Sequence, residues 1–473
     1  MANTTTSIVT FSILSPDASL SYDRVKLRLE EYRTLLDSDS DTFELSTENG
    51  KTVICRKQAK EMEEFLDQAE RLLRDVVQSR DISTLVVLHH LCDLTGILDK
   101  LQLYDECRLT GDCALGLAEA LGRRSLEFRQ EQAETLVLIA GITVYQSRAR
   151  TLFIRAVSIC EEVVENDASH SNKKKLLFVL GSAGSWAVDS LGALGAQWLE
   201  RAVRLMANEL PPSMVDPDSR RAIYYNYGNC LSSLKQHANA TAAYHESISS
   251  CRILVNNNPA KYNYRIAKTL MNMATTFDDL GQYEDAIVAF QEVLDIGIAM
   301  STQNPLQFNE LMARTLINYG TTLGNLNRFS EAAAMQKEAV SFYRKLAQTG
   351  HEWTQLHCAA LYSYGSSCYS LGKHAEAVLA YQESILLQRA RAATHPEEEI
   401  YLKRALHNIA NSFNALGNRV ESNAAAIEAL ERNHGRGFEP CIFPPNFMSC
   451  LVCQRVVTRE HGRGSRPRVV PRE

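Results

Sequence analysis

Five polar residues recur along the chain at near-constant spacing: Asn226, Asn272, Asn318, Ser363 and Asn408, separated by 46, 46, 45 and 45 residues. A carboxamide both donates and accepts hydrogen bonds. A column of them can therefore hold a polar ligand or tie neighbouring helices together, and the residues alone leave both readings open. No acid, base or nucleophile set is gathered in the same way. The GSAGS run from Gly181 to Ser185 has no serine at the centre of a GxSxG and sits in a helical pattern, so it fails as a nucleophile elbow. HHLCD, from His89 to Asp93, reads as a helix face, and no phosphate loop, dinucleotide fingerprint or HExxH occurs. An enzyme on a helical scaffold is thus the disfavoured reading, and no cofactor is expected.

The same interval governs the residues around these five. Two places after each comes a small residue, Gly228, Ala274, Gly320, Gly365 or Ala410, and twelve places later another, Ala240, Ala286, Ala332, Ala377 or Ser422. Small side chains there let two helices approach closely, while Leu231, Phe277, Leu323 and Phe413 are expected to fill the space between them. Gly281, Gly372 and Gly417, with Asn327 in a fourth copy, sit where a left-handed backbone would turn one helix into the next. Pro259, Pro305 and Pro396 stop the second helix on the same period. Each unit is a helical hairpin.

With the small residues, the aromatics Tyr244, Phe290 and Tyr381, the Leu-Gly turn and the closing proline in place, the units resemble the tetratricopeptide repeat (TPR). The usual unit is about 34 residues. The extra length here is expected to prolong the second helix and its loop, as in the longer units of kinesin light chain and of fungal and bacterial signalling arrays. Gln336 and Ala426 depart from the aromatic position, and Lys235 from the turn glycine. The resemblance implies an all-α, right-handed superhelical solenoid whose concave face, built from the first helices, binds a peptide segment. In proteins of this kind the matching Asn bonds a peptide backbone; the alternative is that each Asn bonds neighbouring helices across the stack.

The groove residues implied are Tyr225, Asn226, Asn229, Lys268, Asn272, Thr275, Asp278, Arg314, Asn318, Thr321, Tyr362, Ser366, Arg404, Asn408 and Asn411. Against the carboxylate clamp of chaperone-binding repeats, Asn229, Asn272 and Arg314 match. Tyr225 stands where a lysine belongs and Asn318 where a second basic residue belongs, so a true clamp is not expected. Lys268, Arg314 and Arg404 would instead favour acidic segments. The function expected is a non-enzymatic adaptor or scaffold, with a regulatory sensor part of a signalling assembly as the alternative.

The rest of the chain frames these units. Residues 1–55 carry a helix-like stretch, DRVKLRLEEYRTLL, and a hairpin around Asn49-Gly50. Degenerate helical hairpins are expected over 56–210, a linker over 211–221 where PPSMVDPDSR clusters prolines, five units over 222–433, and a basic disordered tail over 434–473. Eight arginines, three glutamates and no lysine give residues 432–473 a charge of +5, leaving −11 on residues 1–431 of a chain whose net charge is −6. That balance argues against a general nucleic-acid binder. In the tail, Cys441, Cys450, Cys453 and His461 could hold zinc in principle, but only one CxxC pair is closely spaced, so free thiols are the reading preferred. No stretch is apolar enough to span a bilayer and no secretory signal is evident, so a cytoplasmic, or nuclear, protein is expected, with its oligomeric state open.

Overall fold

The computed structural model describes residues 24–31, 33, 42–47, 50–55, 64–72, 84–101, 103–123, 125–143, 146–188, 192–300, 305–348, 350, 353–392 and 399–431. Within them the chain forms two compact units, residues 1–234 and 235–473. The division therefore falls after Leu234, inside the first 46-residue copy, and not in the proline-rich stretch at 211–221. That stretch belongs to the first unit: it forms a 3-10 turn, Pro212–Met214, and the Asp216 carboxylate then accepts from Ser219 N at 2.9 Å to cap the next helix, whose first residue is Pro217.

The first unit holds an antiparallel hairpin, β1 Thr42–Thr47 and β2 Gly50–Cys55. Gly50 pairs with Thr47 and so belongs to the ladder, not to the turn expected at Asn49-Gly50; Asn49 lies outside the described residues. The reason lies in the ladder: Gly50 is the first paired residue of β2, and the register then sets Phe43 opposite Ile54 and Leu45 opposite Thr52. Seven helices follow: α1 Thr84–Lys100, α2 Tyr104–Gly122, α3 Leu126–Ile142, α4 Gln146–Asn166, α5 His170–Ala187, α6 Gly192–Asn208 and α7 Pro217–Ser233. Helical residues 24–31 and 64–72 lean on them. Val25, Leu29, Leu66 and Ala69 pack with Leu94, Leu98 and Leu101, and Arg33 joins the two segments by bonding Glu70 at 2.8 Å and Asp67 at 2.7 Å. A second cluster joins α3 to α7 around Phe153, Leu180, Leu199 and Cys230.

The second unit is α8 His237–Leu254, α9 Pro259–Asp279, α10 Tyr283–Met300, α11 Pro305–Asn325, α12 Phe329–Leu346, α13 Thr354–Ser370, α14 His374–Ala392, α15 Glu399–Ala415 and α16 Arg419–Glu431. The pairs α9/α10, α11/α12, α13/α14 and α15/α16 are hairpins built to one plan. At each turn the backbone enters the left-handed region, at Gly281 (φ 73°), Asn327 (φ 60°), Gly372 (φ 73°) and Gly417 (φ 82°). The next amide then reaches back across the helix end: Gln282 N to Phe277 O and Lys373 N to Cys368 O, both at 2.9 Å, and likewise Arg328 N to Leu323 O and Asn418 N to Phe413 O. This is the Schellman closure, which satisfies the last carbonyls of the first helix. Lys235, which lacks the glycine, also takes φ 61°.

The small-residue positions are close-packed. A Cβ on Gly365 would lie 2.8 Å from Cε1 of Tyr381, and one on Gly320 would lie 2.7 Å from Cγ of Gln336 and 3.1 Å from the Ala332 carbonyl. Tyr244, Phe290 and Tyr381 are fully buried, each stabilising by about 1.5–3 kcal/mol on area grounds. Gln336, in the aromatic's place, is also buried but leaves its Oε1 without a partner among the described residues. Leu231 and Leu323 are buried as expected, while Phe277 and Phe413 are only half-buried.

In the α9/α10 and α11/α12 hairpins the added length goes more to the first helix than to the second, whereas in α13/α14 the second helix is the longer, 19 residues against 17. The first helices α9 and α11 run 21 residues, their partners α10 and α12 18. The prolines explain this. Pro259 and Pro305 stand at the first position of the next helix, where a missing N–H costs nothing. The residues after them add turns to the first helix, burying Tyr262, Ile266, Phe308 and Met312.

The turn geometry sets a prediction. Gly372→Ala forces a Cβ into the left-handed region and should lower stability by about 1–2 kcal/mol. Gly324→Ala, within α11 with nothing near its added methyl, should raise it by about 0.5–1 kcal/mol. Denaturant midpoints of the two variants check the pair, and a shift of the same sign in both would contradict it.

Candidate functional site

The first helices of the second unit carry twelve of the expected groove residues. Lys268, Asn272, Thr275 and Asp278 lie on α9, Arg314, Asn318 and Thr321 on α11, Tyr362 and Ser366 on α13, and Arg404, Asn408 and Asn411 on α15. The cations and the two threonines are exposed, the others half-buried. Tyr225, Asn226 and Asn229 lie on α7 of the first unit, so the fifteen are not gathered within one unit.

The recurring amides are not equivalent. Asn408 Nδ2 donates to Tyr362 Oη of the preceding first helix at 2.9 Å and, at 3.4 Å, to Tyr381 Oη of the second helix. Ser366 Oγ completes that cluster 3.0 Å from Tyr381 Oη, and the two tyrosine rings sit 5.8 Å apart. Asn226 donates in the same manner to Ser185 Oγ of α5. At these two positions the amide ties one first helix to the one before it. Asn318 differs: its side chain has no hydrogen-bond partner among the described residues, and it stands beside exposed Arg314 and Thr321. Asn272 has a partner of its own.

Much of the surrounding polarity is also partly engaged. Thr275 and Thr321 donate to the carbonyls of Met271 and Ile317 at 3.0 Å, one turn back, leaving their oxygens to accept. Asp278 accepts from Asn325 of the next first helix at 3.3 Å. Sequence reasoning missed Asn325; its place two turns beyond Asn318 and a carboxylate 47 residues earlier were the signal. Arg314 reaches Glu310 at 3.5 Å, an exposed pair of the kind worth well under ~1 kcal/mol and easily exchanged for a ligand carboxylate. Asn411 lies 3.2 Å from His407 Nε2, and burial holds His407 below its ordinary pKa.

Burial pushes the Cys92 thiol up to about 11 and those of Cys107 and Cys160 up to about 12, which suppresses the thiolate. Among the described residues no group of three or more His, Cys, Asp or Glu is placed to hold a metal ion, and no helix is long and apolar enough to cross a membrane. Cys441, Cys450, Cys453 and His461 lie outside the described residues.

Two predictions follow from the hydrogen bonds. Asn408→Ala removes a donor from two tyrosine hydroxyls and should cost about 1–2 kcal/mol of stability, whereas Asn318→Ala should stay within about 0.5 kcal/mol of the parent; equal losses in chemical denaturation would contradict the assignment. His407, neutral in the fold with its pKa depressed by burial, takes up its proton more readily once unfolded. Stability should therefore fall as pH drops below about 6.5, the unfolded value, and level off once pH is below the folded value. His407→Gln should shallow that slope in thermal melts at pH 7, 6 and 5.

Comparison with known proteins bears on the repeats. Two tetratricopeptide repeat models match the chain, one over residues 266–299 and 312–352, the other over 222–252 and 359–391. No curated protein matches it. Among solved structures, the apo form of RapI is similar at 11% identity and TM-score 0.49, over 73% of this chain and 97% of that one. The Signal Transduction ATPase with Numerous Domains protein PH0952 from Pyrococcus horikoshii, which has a tetratricopeptide repeat sensor, is similar at 12% identity and TM-score 0.48, over 82% of this chain and 56% of that one. The putative kinesin light chain repeats of Podosopora anserina are similar at 14% identity and TM-score 0.36, over 46% and 96%. With its period, its turns and these matched segments, the chain carries tetratricopeptide repeats between residues 222 and 391.

Proposed function

We propose that this protein is a non-enzymatic adaptor whose second unit binds an extended peptide segment along the first helices α9, α11, α13 and α15. The observation that carries the reading is the unpartnered amide of Asn318, on a face where Asn408 is already engaged. An amide left open can take both an N–H and a C=O from a peptide backbone. Exposed Lys268, Arg314 and Arg404 flank it on the same helices and favour a segment rich in Asp or Glu. The hydroxyl oxygens of Thr275 and Thr321 can accept further peptide N–H groups.

The test is direct binding of the full chain to an array of acidic and neutral peptides. Acidic peptides should bind preferentially, and the joint variant Asn318→Ala, Arg314→Ala should lose roughly tenfold in affinity, as removal of a charged hydrogen-bonding partner generally does. Undiminished binding by that variant would sink the reading. So would a peptide preference that ignores charge and does not weaken as salt is raised.

A further inference from the structure

Tyr381 marks a polar junction between successive hairpins. Its hydroxyl lies 3.0 Å from Ser366 Oγ of its own hairpin and accepts from Asn408 Nδ2 of the next at 3.4 Å. One unit earlier, 45 residues back, the same three slots hold Gln336, Thr321 and Ser363. Gln336 takes the place of the ring: a Cβ on Gly365 would meet Cε1 and Cζ of Tyr381 at 2.8 and 2.9 Å, and one on Gly320 would meet Cγ and Cδ of Gln336 at 2.7 and 3.1 Å. The shorter glutamine thus ends at the level of the ring and stops short of the phenol oxygen's place.

This junction is left open. Gln336 is 4% exposed, its buried Oε1 has no partner, and its side chain makes no hydrogen bond among the described residues. Ser363, half-buried and shorter than the asparagine of that slot, makes none there either. Thr321 gives its proton to the Ile317 carbonyl and keeps its oxygen free to accept; being exposed, it sets the mouth of the junction on the groove face. A buried polar atom without a partner destabilises a fold. An aromatic in this slot would bury more apolar area and, as Tyr381 does, satisfy its own hydroxyl, so packing does not call for glutamine. On the other side of α11 the equivalent of Tyr381 is Phe290, which stacks on Tyr319 at 5.9 Å and has no hydroxyl to offer Asn318. Both junctions flanking α11 therefore lack the bonds that close the one at Asn408.

The chemistry of the open groups selects what can close them. They are neutral and mixed: amide and hydroxyl oxygens that accept, an amide and a hydroxyl that donate. A carboxylate brings no donor and would leave Gln336 Oε1 unpaired. An ammonium brings no acceptor and would enter a face that already carries exposed Arg314 on α11. A carboxamide answers both kinds of group, because two amides exchange N–H and C=O in both directions. The last torsion of a glutamine is soft, so the Gln336 oxygen can turn to meet an incoming N–H.

We propose that Gln336, Ser363 and Thr321 form a subsite that reads an Asn or Gln side chain of the bound segment, inserted between α11 and α13. The subsite rests on the peptide-groove reading of the Asn318 face and adds a side-chain preference to it.

Fluorescent dodecapeptides of Asp, Glu and Ala, each carrying Asn, Gln, Asp, Glu or Leu at one scanned position, test this on the full chain. At one position Asn or Gln should bind roughly tenfold tighter than Asp, Glu or Leu. Gln336→Met, similar in shape but without the amide, should erase that preference and leave the binding of peptides that lack Asn and Gln unchanged. The double variant Gln336→Tyr, Ser363→Asn rebuilds the junction of Tyr381 and Asn408 and should erase it too; it carries the test if Gln336→Met does not fold. A glutamine that only packs would alter the melting temperature and leave the preference intact, and that result would overturn the subsite. Acidic peptides that bind with no position favouring the amide would also overturn it, with the groove reading left standing. Failure of every peptide to bind would overturn both.

Discussion

The repeats depend on how closely the two helices of a hairpin approach at the small-residue positions. At Gly365 and Gly320 there is no room for one more carbon: the ring of Tyr381 and the stem of Gln336 occupy the place where a Cβ would stand. Such a contact forms only if the chain reverses sharply, and the left-handed residues at 281, 327, 372 and 417 provide that reversal while closing the open carbonyls of the first helix. Turn and contact are thus one requirement written at two places in the unit. Asn327 shows that the backbone conformation is fixed and the residue is not, since it takes φ 60° without being glycine.

This spacing brings successive first helices within reach of each other's side chains. Asn325 meets Asp278, Asn408 meets Tyr362 and, in the first unit, Asn226 meets Ser185. Each such bond consumes polar capacity that a groove residue would otherwise present. The Tyr362, Tyr381, Ser366 and Asn408 cluster consumes most, because it satisfies a buried phenol whose pKa burial drives upward. The polar face is thereby sorted into amides that hold the stack and one, Asn318, that does not. Opposite-charge rungs between successive second helices add to the stack, with Arg344 on Glu383 at 2.8 Å and Arg389 on Glu428 at 2.6 Å. Where the same slot holds Ile298 no arginine is available for Glu338, and these exposed pairs steer register more than they stabilise.

What was legible in the sequence follows the same division. The period, the left-handed turns and the small-residue positions are local demands on backbone shape, and each restricts the residue type at its own position, so they can be read one residue at a time. The partner of an amide is not local. Asn408 and Asn318 are the same residue in the same slot, and they differ because the preceding unit supplies a tyrosine at 362 in one case and Met271 in the other. Only the distance across the stack decides it. The boundary after Leu234 was hidden for a similar reason. Prolines at 211, 212 and 217 read as a linker, yet Asp216 and Pro217 start a helix, and α7 packs its Ile223 and Cys230 into the core of the first unit.

Helix length shows how far a repeat can drift without losing its plan. Standard units close in about 34 residues, so the 45 or 46 here must place roughly a dozen more without disturbing the contact at the small residues. Those residues and the turn lie at the far end of the first helix, and the added turns lie at its start, after Pro259 and Pro305. Length can be gained there because the new residues bury their own apolar face through Tyr262, Ile266, Phe308 and Met312 and leave the hairpin's closure untouched. Had the same residues been inserted between Asn272 and Gly281, the groove side chains of α9 would have moved along the helix axis by about 17 Å relative to the hairpin closure and lost their counterparts on α11. The constancy of the Asn-to-turn interval, and not of the unit as a whole, is therefore what keeps a column of side chains in register.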